Sequence, residues 1–324
     1  MTGGSRVNLP GTGLSVSRLC LGGNRFGGEL DEAASFALLD AFAEAGGNFI
    51  DTAHVYADWI PGNPPSSSEK TIGRWLNSRK PQGIVVATKG GHPRLAAPAA
   101  RRLDALSLRQ DVEDSLSNLG LDSLDLFFLH RDDPARPADD ILGTLETLRQ
   151  EGLLRHYGAS NWPANRLAAA ERAASEHGWR GFAASQAEWS LAQRNPGTMA
   201  GDLHSMDRDM LDLHRRTRLT AIPYSAQAKG YFDKLGPGLD PAAARLYDNP
   251  ANRAMAGTLA LLAGREAATL TQVMLAAMMR APFAVIPVIG CRTPEQVISS
   301  FGSLRISLSQ IEADELLEQT RHTG

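Results

Sequence analysis

Short β-rich segments alternate with amphipathic helical segments along almost the whole chain, and this alternation restricts the possible folds more than any other feature. Eight β segments are recognisable: RLCLG (18–22), NFID (48–51), IVVATK (84–89), LDLFFLH (124–130), LRHYGAS (154–160), FAASQ (182–186), LTAIPY (219–224) and FAVIPVI (283–289). They are apolar on both faces, which is typical of parallel strands covered by helices. The pattern predicts an α/β fold, a single (β/α)8 TIM barrel; the alternative, an open doubly wound sheet, would be a large one.

Signals outside the β segments fit the same plan. The segment RVNLPGTGLSVS predicts an N-terminal β-hairpin that turns at residues 10–13. Ser66 and Glu69 have the spacing of a helix capping box. The chain has no Ser/Gly linker and no repeat beyond the βα unit. Residues 1–324 are therefore predicted to form one domain, of a size that α/β barrels reach undivided.

Composition and charge argue against several functional classes. The hydrophobic share of 43% supports a large buried core, and the formal charge of -3, without a basic run, predicts no nucleic-acid partner and no anionic membrane partner. No apolar stretch has the roughly 18 residues of a membrane span, and the first residues, MTGGSRVNLP, have no signal-peptide core. Cys20 and Cys291 form no CxxC motif. We therefore expect a soluble cytoplasmic protein, whose oligomeric state the sequence leaves open.

Polar side chains stand where three consecutive β segments end. Asp51 ends the second segment and Tyr56 follows it, Lys89 ends the third, and His130 ends the fourth. In a β/α barrel the active site forms at the carboxyl ends of the strands. Neighbouring strands lie about 4.8 Å apart, so these four side chains are expected to converge.

Together the four residue types suit carbonyl reduction. A free phenol has a pKa of about 10, and a nearby ammonium favours the phenolate. Lys89 would therefore lower the pKa of Tyr56, Asp51 would keep Lys89 charged, and a neutral His130 would steer a carbonyl oxygen to the phenol. Each residue alone has an ordinary structural explanation, such as a loop cap or a solvated charge. Their occurrence at successive strand ends favours a tuned general acid.

The later strand ends carry groups that suit a flat heterocycle and phosphates. Ser160, Asn161 and Gln186 offer hydroxyl and carboxamide groups that pair with an amide. Tyr224 is placed to stack on a ring, and Arg292 precedes a helix N-terminus, which favours phosphate. Neither GTGLSV nor GGNRFGG fits the GxGxxG fingerprint, so a nucleotide would bind by another route.

Several segments taken together resemble the aldo-keto reductase family over essentially the whole chain: FIDTAHVY, ATKGG, LDLFFLHRDD, GASNW, SQAEWS, YSAQAKGYF and GCRTPEQV. The resemblance is to a bacterial member that acts on sugars or small aldehydes, carried by GNRFGG and YADWIPGNPPSSSE. It implies NADPH-dependent reduction of an aldehyde or ketone, with Tyr56 donating the proton and without a Rossmann domain or a metal. The implied substrate is a keto-sugar or another polyhydroxylated carbonyl compound.

The resemblance also implies a set of site residues. The catalytic ones are Asp51, Tyr56, Lys89 and His130. The cofactor-binding ones are Gly23, Asp51, Ser160, Asn161, Gln186, Tyr224, Ser225, Gln227, Gly230, Arg292, Gln296 and Ser300. Apart from the resemblance, the aromatic and charged residues near the strand ends make Phe26, Trp59, Arg131 and Trp162 candidates for substrate binding. Many relatives have Asn, often after Glu, where this chain has Ser299 and Ser300, so the adenine contact departs from the pattern.

Two alternatives stay open. A Schiff-base aldolase would use Lys89 as a neutral amine, although Asp51 beside it argues for a charged lysine. A nicotinamide-binding regulatory subunit with little turnover would keep the cofactor residues, but nothing in the sequence marks a partner surface.

Overall fold

An antiparallel hairpin opens the part of the chain that the computed structural model describes, residues 6–319. Its strands are β1 (Arg6–Asn8) and β2 (Ser15–Ser17). Gly11 and Gly13, with φ angles of 74° and 75°, make the turn between them. A positive φ is accessible to glycine without steric cost, so the predicted hairpin and its turn are confirmed.

Eight parallel strands follow the hairpin. They are β3 (Cys20–Gly22), β4 (Phe49–Asp51), β5 (Val85–Gly90), β6 (Leu124–Leu129), β7 (Leu154–Ser160), β8 (Ala184–Gln186), β9 (Thr220–Ala221) and β10 (Val288–Ile289). Each pairs with the next along the chain, and β10 also pairs with β3. The sheet closes between β9 and β10, where the Ala221 amide donates to the Ala284 carbonyl at 2.9 Å and the Ile286 amide to the Ala221 carbonyl at 2.9 Å. The predicted barrel is confirmed, and the open doubly wound sheet is excluded.

Helices cover the outside of the barrel. Their bounds are α1 (Glu32–Glu44), α2 (Ser67–Arg79), α3 (Ala105–Leu119), α4 (Ala138–Gln150), α5 (Ala164–His177), α6 (Arg208–Thr217), α7 (Pro241–Tyr247), α8 (Pro250–Glu266), α9 (Leu270–Met278), α10 (Pro294–Phe301) and α11 (Gln310–Glu318). Sequence periodicity did not predict α7, which has only seven residues. Within the described part of the chain, no helix combines the length and the apolar character needed to cross a membrane.

The core has two layers, one inside the barrel and one between the strands and the helices. Phe49, Ala87 and Phe128 belong to the inner layer, whereas Ile50 and Phe127 pack against the helices. Successive side chains of a strand point to opposite faces. The next inward positions of these strands are Asp51, Lys89 and His130, and so the alternation of the strands itself turns the three polar side chains into the barrel.

The hairpin decides which end of the barrel stays open. Leu9 and Val16 are buried in the inner layer beneath the strands, with Cys20. They close the amino-terminal end of the barrel with apolar side chains. The polar inward side chains therefore lie at the opposite, carboxyl-terminal end.

The predicted capping box at the start of α2 is wrong. Ser66 has a left-handed backbone with φ 57°, and its side chain caps nothing. Glu69 is buried and accepts hydrogen bonds from Thr88 Oγ1 at 2.5 Å and Asn118 Nδ2 at 2.9 Å. The Ser66 amide is bound instead by Asp58 Oδ1, at 2.7 Å. The Glu69 carboxylate thus binds side chains that are distant in sequence, and not the helix N-terminus that the local pattern predicted.

Candidate active site

A buried ammonium group is the centre of the site. Lys89 Nζ donates to both Asp51 carboxylate oxygens, at 2.7 and 2.6 Å, to the Thr52 carbonyl at 2.8 Å and to Tyr56 Oη at 2.9 Å. The Lys89 and Asp51 side chains are only 1% and 3% exposed. An ammonium can only donate, so the Tyr56 oxygen accepts this bond and the phenol keeps its own proton for another partner.

The loop after β4 is tied to β5, and this brings Tyr56 over Lys89. The Thr52 amide donates to the Ala87 carbonyl at 2.8 Å, and the His54 amide donates to the Lys89 carbonyl at 2.9 Å. The chain then turns, and the Tyr56 amide reaches the Ala53 carbonyl at 3.0 Å. Five residues beyond Asp51 in sequence, the phenol thus returns to the same ammonium group.

The His130 ring packs against that of Tyr56. The two ring centroids are 5.7 Å apart, in an edge-on arrangement. Burial, together with the positive charges of Lys89 and Arg131, holds the pKa of His130 well below its usual value. The imidazole is therefore neutral at neutral pH. Its buried Nδ1 atom has no hydrogen-bond partner within residues 6–319.

The pKa of Tyr56 shifts in the direction opposite to the one that the sequence predicted. Burial raises the pKa of the Tyr56 phenol and outweighs Lys89, which acts in the lowering direction as predicted. Burial alone would lower the pKa of Lys89, but the charge of Asp51 and the contact with Tyr56 raise it above its ordinary value. Both groups therefore hold their protons at neutral pH. The result is a protonated phenol beside a permanent cation.

Gln186 connects the cofactor-side residues to the ammonium centre. Ser160 and Gln186 are paired in register at the ends of β7 and β8. Gln186 Nε2 donates to Asp51 Oδ1 at 2.8 Å. The side-chain amide of Gln186 therefore helps to hold the Asp51 carboxylate, a role that sequence reasoning did not find.

Asn161 organises the next strand end with a left-handed backbone, φ 61°. Its Nδ2 donates to Ser160 Oγ at 3.1 Å and to the His130 carbonyl at 3.2 Å, while its Oδ1 accepts from Tyr224 Oη at 2.8 Å. Hydroxyl, carboxamide and phenol groups thus meet at one edge of the barrel mouth. They match the donor and acceptor groups of a nicotinamide carboxamide.

The loop after β9 has an unusual backbone. Ser225, Ala228 and Lys229 have positive φ angles of 55°, 46° and 55°, and Gly230 follows with 76°. Such conformations are costly for residues other than glycine and tend to collect at functional sites. Within the loop, the Ala228 amide donates to the Ser225 carbonyl at 2.8 Å and the Gly230 amide to the Gln227 carbonyl at 2.7 Å. These bonds hold the loop in its strained shape.

Gln227 joins this loop to the one after β10. Its Oε1 accepts from the Gly290 amide at 2.8 Å, and its Nε2 donates to Ser300 Oγ at 3.2 Å. Ser300 is buried and also donates to the Gln296 carbonyl at 2.8 Å. The Ser300 hydroxyl is thus engaged with protein groups.

Arg292 projects from the beginning of α10 into solvent. Gln296 Oε1 accepts from the Arg292 backbone amide at 2.7 Å, and the guanidinium lies 3.5 Å from Glu29 Oε2. Glu29 also pairs with Arg25.

Gly23 follows β3 directly, and its amide donates to the Asp51 carbonyl at 2.7 Å. A Cβ atom at Gly23 would come within 3.0 Å of that oxygen.

The sequence model of the aldo/keto reductase family matches residues 18–319, which contain the whole barrel and the side chains of the site. The chain belongs to the aldo/keto reductase family. It is therefore an oxidoreductase. Within residues 6–319, no group of three or more His, Cys, Asp or Glu side chains is placed to hold a metal ion.

Three similar proteins have names from carbonyl and alcohol chemistry. Norsolorinic acid reductase stcV of Emericella nidulans is 31% identical, and the match covers 98% of this chain and 81% of that protein. Aldo-keto reductase ausK of the same organism is 30% identical, over 96% and 80%. Aryl-alcohol dehydrogenase GME11368 of Pestalotiopsis microspora is 27% identical, over 98% and 82%. All three are fungal, so the expected likeness to bacterial sugar reductases finds no support in these relatives.

The four residues expected at the substrate pocket of this aldo/keto reductase divide into two pairs. Phe26 is 0% exposed and Trp162 is 1% exposed, and Trp162 Nε1 donates to the Arg131 carbonyl at 3.2 Å. Neither ring has free surface for a ligand in this structure. Trp59 is 46% exposed, with its ring centroid 6.0 Å from that of Tyr56. Arg131 lies 3.3 Å from Asp202 and donates to the His130 carbonyl at 3.0 Å.

His92 is a member of the site that sequence reasoning missed. Its ring centroid lies 4.9 Å from that of His130, in an edge-on arrangement. Its signal was present in the sequence, since HP directly follows ATKGG at the end of the third strand. Asp202, which pairs with Arg131, had no such signal because it lies in a long loop well after β8.

Proposed function

We propose that this aldo/keto reductase reduces an aldehyde or ketone to an alcohol with NADPH, and that Tyr56 is the general acid. The contact of 2.9 Å between Lys89 Nζ and Tyr56 Oη carries the proposal. Because Lys89 occupies a lone pair of the phenol oxygen, the phenol proton is free to point to a substrate. The raised pKa of Tyr56 keeps that proton in place at neutral pH.

Each residue of the centre has a defined task. The neutral His130 orients the carbonyl oxygen towards Tyr56. When the phenol gives its proton to that oxygen, negative charge develops on the Tyr56 oxygen beside Lys89. A fixed cation in a buried site stabilises such charge more strongly than water does. Asp51, held by Gln186, keeps Lys89 charged and oriented. NADPH, when bound, supplies the hydride that adds to the carbonyl carbon.

The residues for the cofactor follow from the groups that the barrel mouth offers. Ser160, Asn161 and Gln186 would hold the carboxamide, and Tyr224 would stack on the nicotinamide ring. The strained loop at residues 225–230 would take the pyrophosphate. Members of this family generally use a nicotinamide cofactor. Arg292, as an exposed cation beyond that loop, supports NADPH over NADH because its guanidinium matches a phosphate.

The structure argues against the aldolase alternative. A Schiff base needs a neutral amine, whereas the contacts of Lys89 raise the pKa of its side chain. Asp51, Thr52 and Tyr56 also occupy the directions in which the ammonium donates.

For the substrate we propose an aryl aldehyde or aryl ketone. The half-exposed Trp59 beside Tyr56 offers an aromatic wall, which suits a flat apolar substrate better than the keto-sugar that the sequence suggested. The names of two relatives, norsolorinic acid reductase and aryl-alcohol dehydrogenase, support the same choice.

The first experiment is a titration of the protein with NADPH and with NADH, followed by quenching of tryptophan fluorescence. We expect NADPH to bind more tightly than NADH. Turnover is then measured as NADPH consumption with benzaldehyde and acetophenone. Binding of NADPH with no turnover of any carbonyl compound would favour the regulatory subunit, and failure to bind either cofactor would refute the proposal.

A further inference from the structure

The imidazole of His92 forms the wall of the barrel mouth next to His130. It lies in the loop after β5 and is partly exposed, whereas His130 is buried. The ring centroids are 4.9 Å apart with an interplanar angle of 65°. Because the two rings are in contact, a substrate whose carbonyl oxygen meets His130 has its neighbouring atoms within reach of His92.

The hydrogen bonding of His92 fixes which nitrogen carries the proton. Its Nδ1 lies 2.6 Å from the Pro93 carbonyl oxygen, which can only accept, so Nδ1 carries the hydrogen. Burial lowers the pKa of His92, and the ring is therefore neutral at neutral pH. In this tautomer Nε2 is a pure acceptor.

Nε2 of His92 is open to a ligand. It has no hydrogen-bond partner among residues 6–319. It is also not among the fully buried atoms there that lack a partner, so it keeps some solvent-accessible surface. The charged groups that act on the His92 ring are Arg131, Asp202 and Asp58. Asp202 pairs with Arg131, and Asp58 accepts from the Ser66 amide. An acceptor without a protein donor, on a partly exposed ring, thus lies next to His130, whose own ring contacts that of Tyr56.

We propose that His92 Nε2 accepts a hydrogen bond from a hydroxyl group of the substrate, a few atoms away from the reacting carbonyl. A carboxylate has no proton to donate, and an ammonium group would lie beside the Arg131 cation. A hydroxyl is the donor that fits both conditions. With the aromatic wall of Trp59, this selects hydroxylated aryl aldehydes and ketones, a substrate class that rests on the proposed carbonyl reduction.

The test compares hydroxybenzaldehydes with the matching methoxybenzaldehydes, in the ortho, meta and para series, with NADPH as reductant. Methylation removes the donor and keeps the oxygen. A hydrogen bond of about 0.5–1.5 kcal/mol corresponds to a preference of roughly 2-fold to 12-fold in kcat/KM. We expect such a preference in at least one series of the wild-type enzyme, carried mainly by KM. Comparing the ratio within each variant cancels any general change in activity.

Two substitutions decide whether His92 is responsible. His92→Phe keeps a ring against His130 but has no acceptor, and we expect its hydroxy-to-methoxy ratio to fall to about one. His92→Gln restores an acceptor and should recover part of the ratio. His177→Phe, on a ring that stacks on Trp179 at the end of α5, is the matched control and should keep the wild-type ratio.

Two results would overturn the inference while leaving carbonyl reduction intact: no hydroxyl preference in any series, or a preference that persists in His92→Phe. Absence of turnover with every aldehyde, benzaldehyde included, would refute the proposed function and the inference with it. The rate with unsubstituted benzaldehyde therefore distinguishes the two failures.

Discussion

Replacing Lys89 with methionine removes the cation at the centre of the site and leaves its partner behind. Met is similar in length to the aliphatic part of lysine, so the change mainly deletes the ammonium. Asp51 would keep the hydrogen bond from Gln186 at 2.8 Å but lose both bonds from Lys89 Nζ. A buried carboxylate without its counter-charge is costly, because the protein interior solvates charge poorly.

The magnitude follows from the burial of the pair. Breaking a buried ion pair from one side costs about 3–5 kcal/mol, whereas exposed pairs contribute roughly 0–1 kcal/mol. Arg79→Met is the matched control, since Arg79 pairs with Asp40 at 3.1 Å on the surface. We expect Lys89→Met to lower the melting temperature by on the order of 5–10 °C and Arg79→Met by at most about 2 °C. The double variant Lys89→Met/Asp51→Asn should recover part of the loss.

The stability that Lys89 and Tyr56 contribute should also change with pH in a direction that can be measured. The pKa values of Lys89 and Tyr56 both lie above their ordinary values in the folded protein. Their contribution to stability is therefore complete below about pH 10 and is lost as the pH rises through the raised values. Thermal unfolding followed by tryptophan fluorescence should show a constant difference between wild type and Lys89→Met from neutral pH to about pH 9, and a shrinking one above pH 10. Equal small losses in Lys89→Met and Arg79→Met would refute the reasoning.

The remaining predictions concern catalysis and cofactor choice. Tyr56→Phe should lower kcat by about 10²–10⁴-fold while NADPH still quenches tryptophan fluorescence; an unchanged rate would remove Tyr56 as the acid. The pH profile of kcat/KM should show no inflection near pH 6.5 from His130, whose pKa lies well below its usual value; a step there that disappears in His130→Gln would contradict the neutral imidazole. Arg292→Ala should weaken NADPH by about 10-fold and NADH little, and Glu29→Gln should tighten NADPH by up to about 5-fold, because it frees Arg292. Glu32→Gln, whose partner is Arg74, is the control for the charge change, and equal effects of Glu29→Gln and Glu32→Gln would refute the competition.

The sequence pattern predicted the positions of the site residues that lie on strands or directly after them. Asp51, Lys89 and His130 each lie two positions after a side chain that points into the barrel. Because side chains alternate along a strand, these three also point inward. Their common end of the barrel follows from the parallel order of the strands. Tyr56 was found because it lies only five residues beyond Asp51. For these residues the contacts in the structure agree with what the sequence predicts.

Other properties of the site depend on contacts between distant parts of the chain. Gln186 binds Asp51 across 135 positions, which no local pattern records. Phe26 and Trp162 are aromatic residues near strand ends, and only packing shows that their rings are buried. The pKa of Tyr56 is likewise a tertiary property, because burial of the phenol outweighs the nearby ammonium.

The sequence by itself determined the barrel, the hairpin before it and the strand-end groups, because strand period, helix pattern and segment order are local properties of the chain. Tertiary structure alone decided which loops meet over the mouth. It placed His92 against His130, bound Arg131 to Asp202 and buried Trp162 under the Arg131 carbonyl. The physical reason is that loop conformations are set by packing and hydrogen bonds to remote residues, and substrate choice depends on those loops.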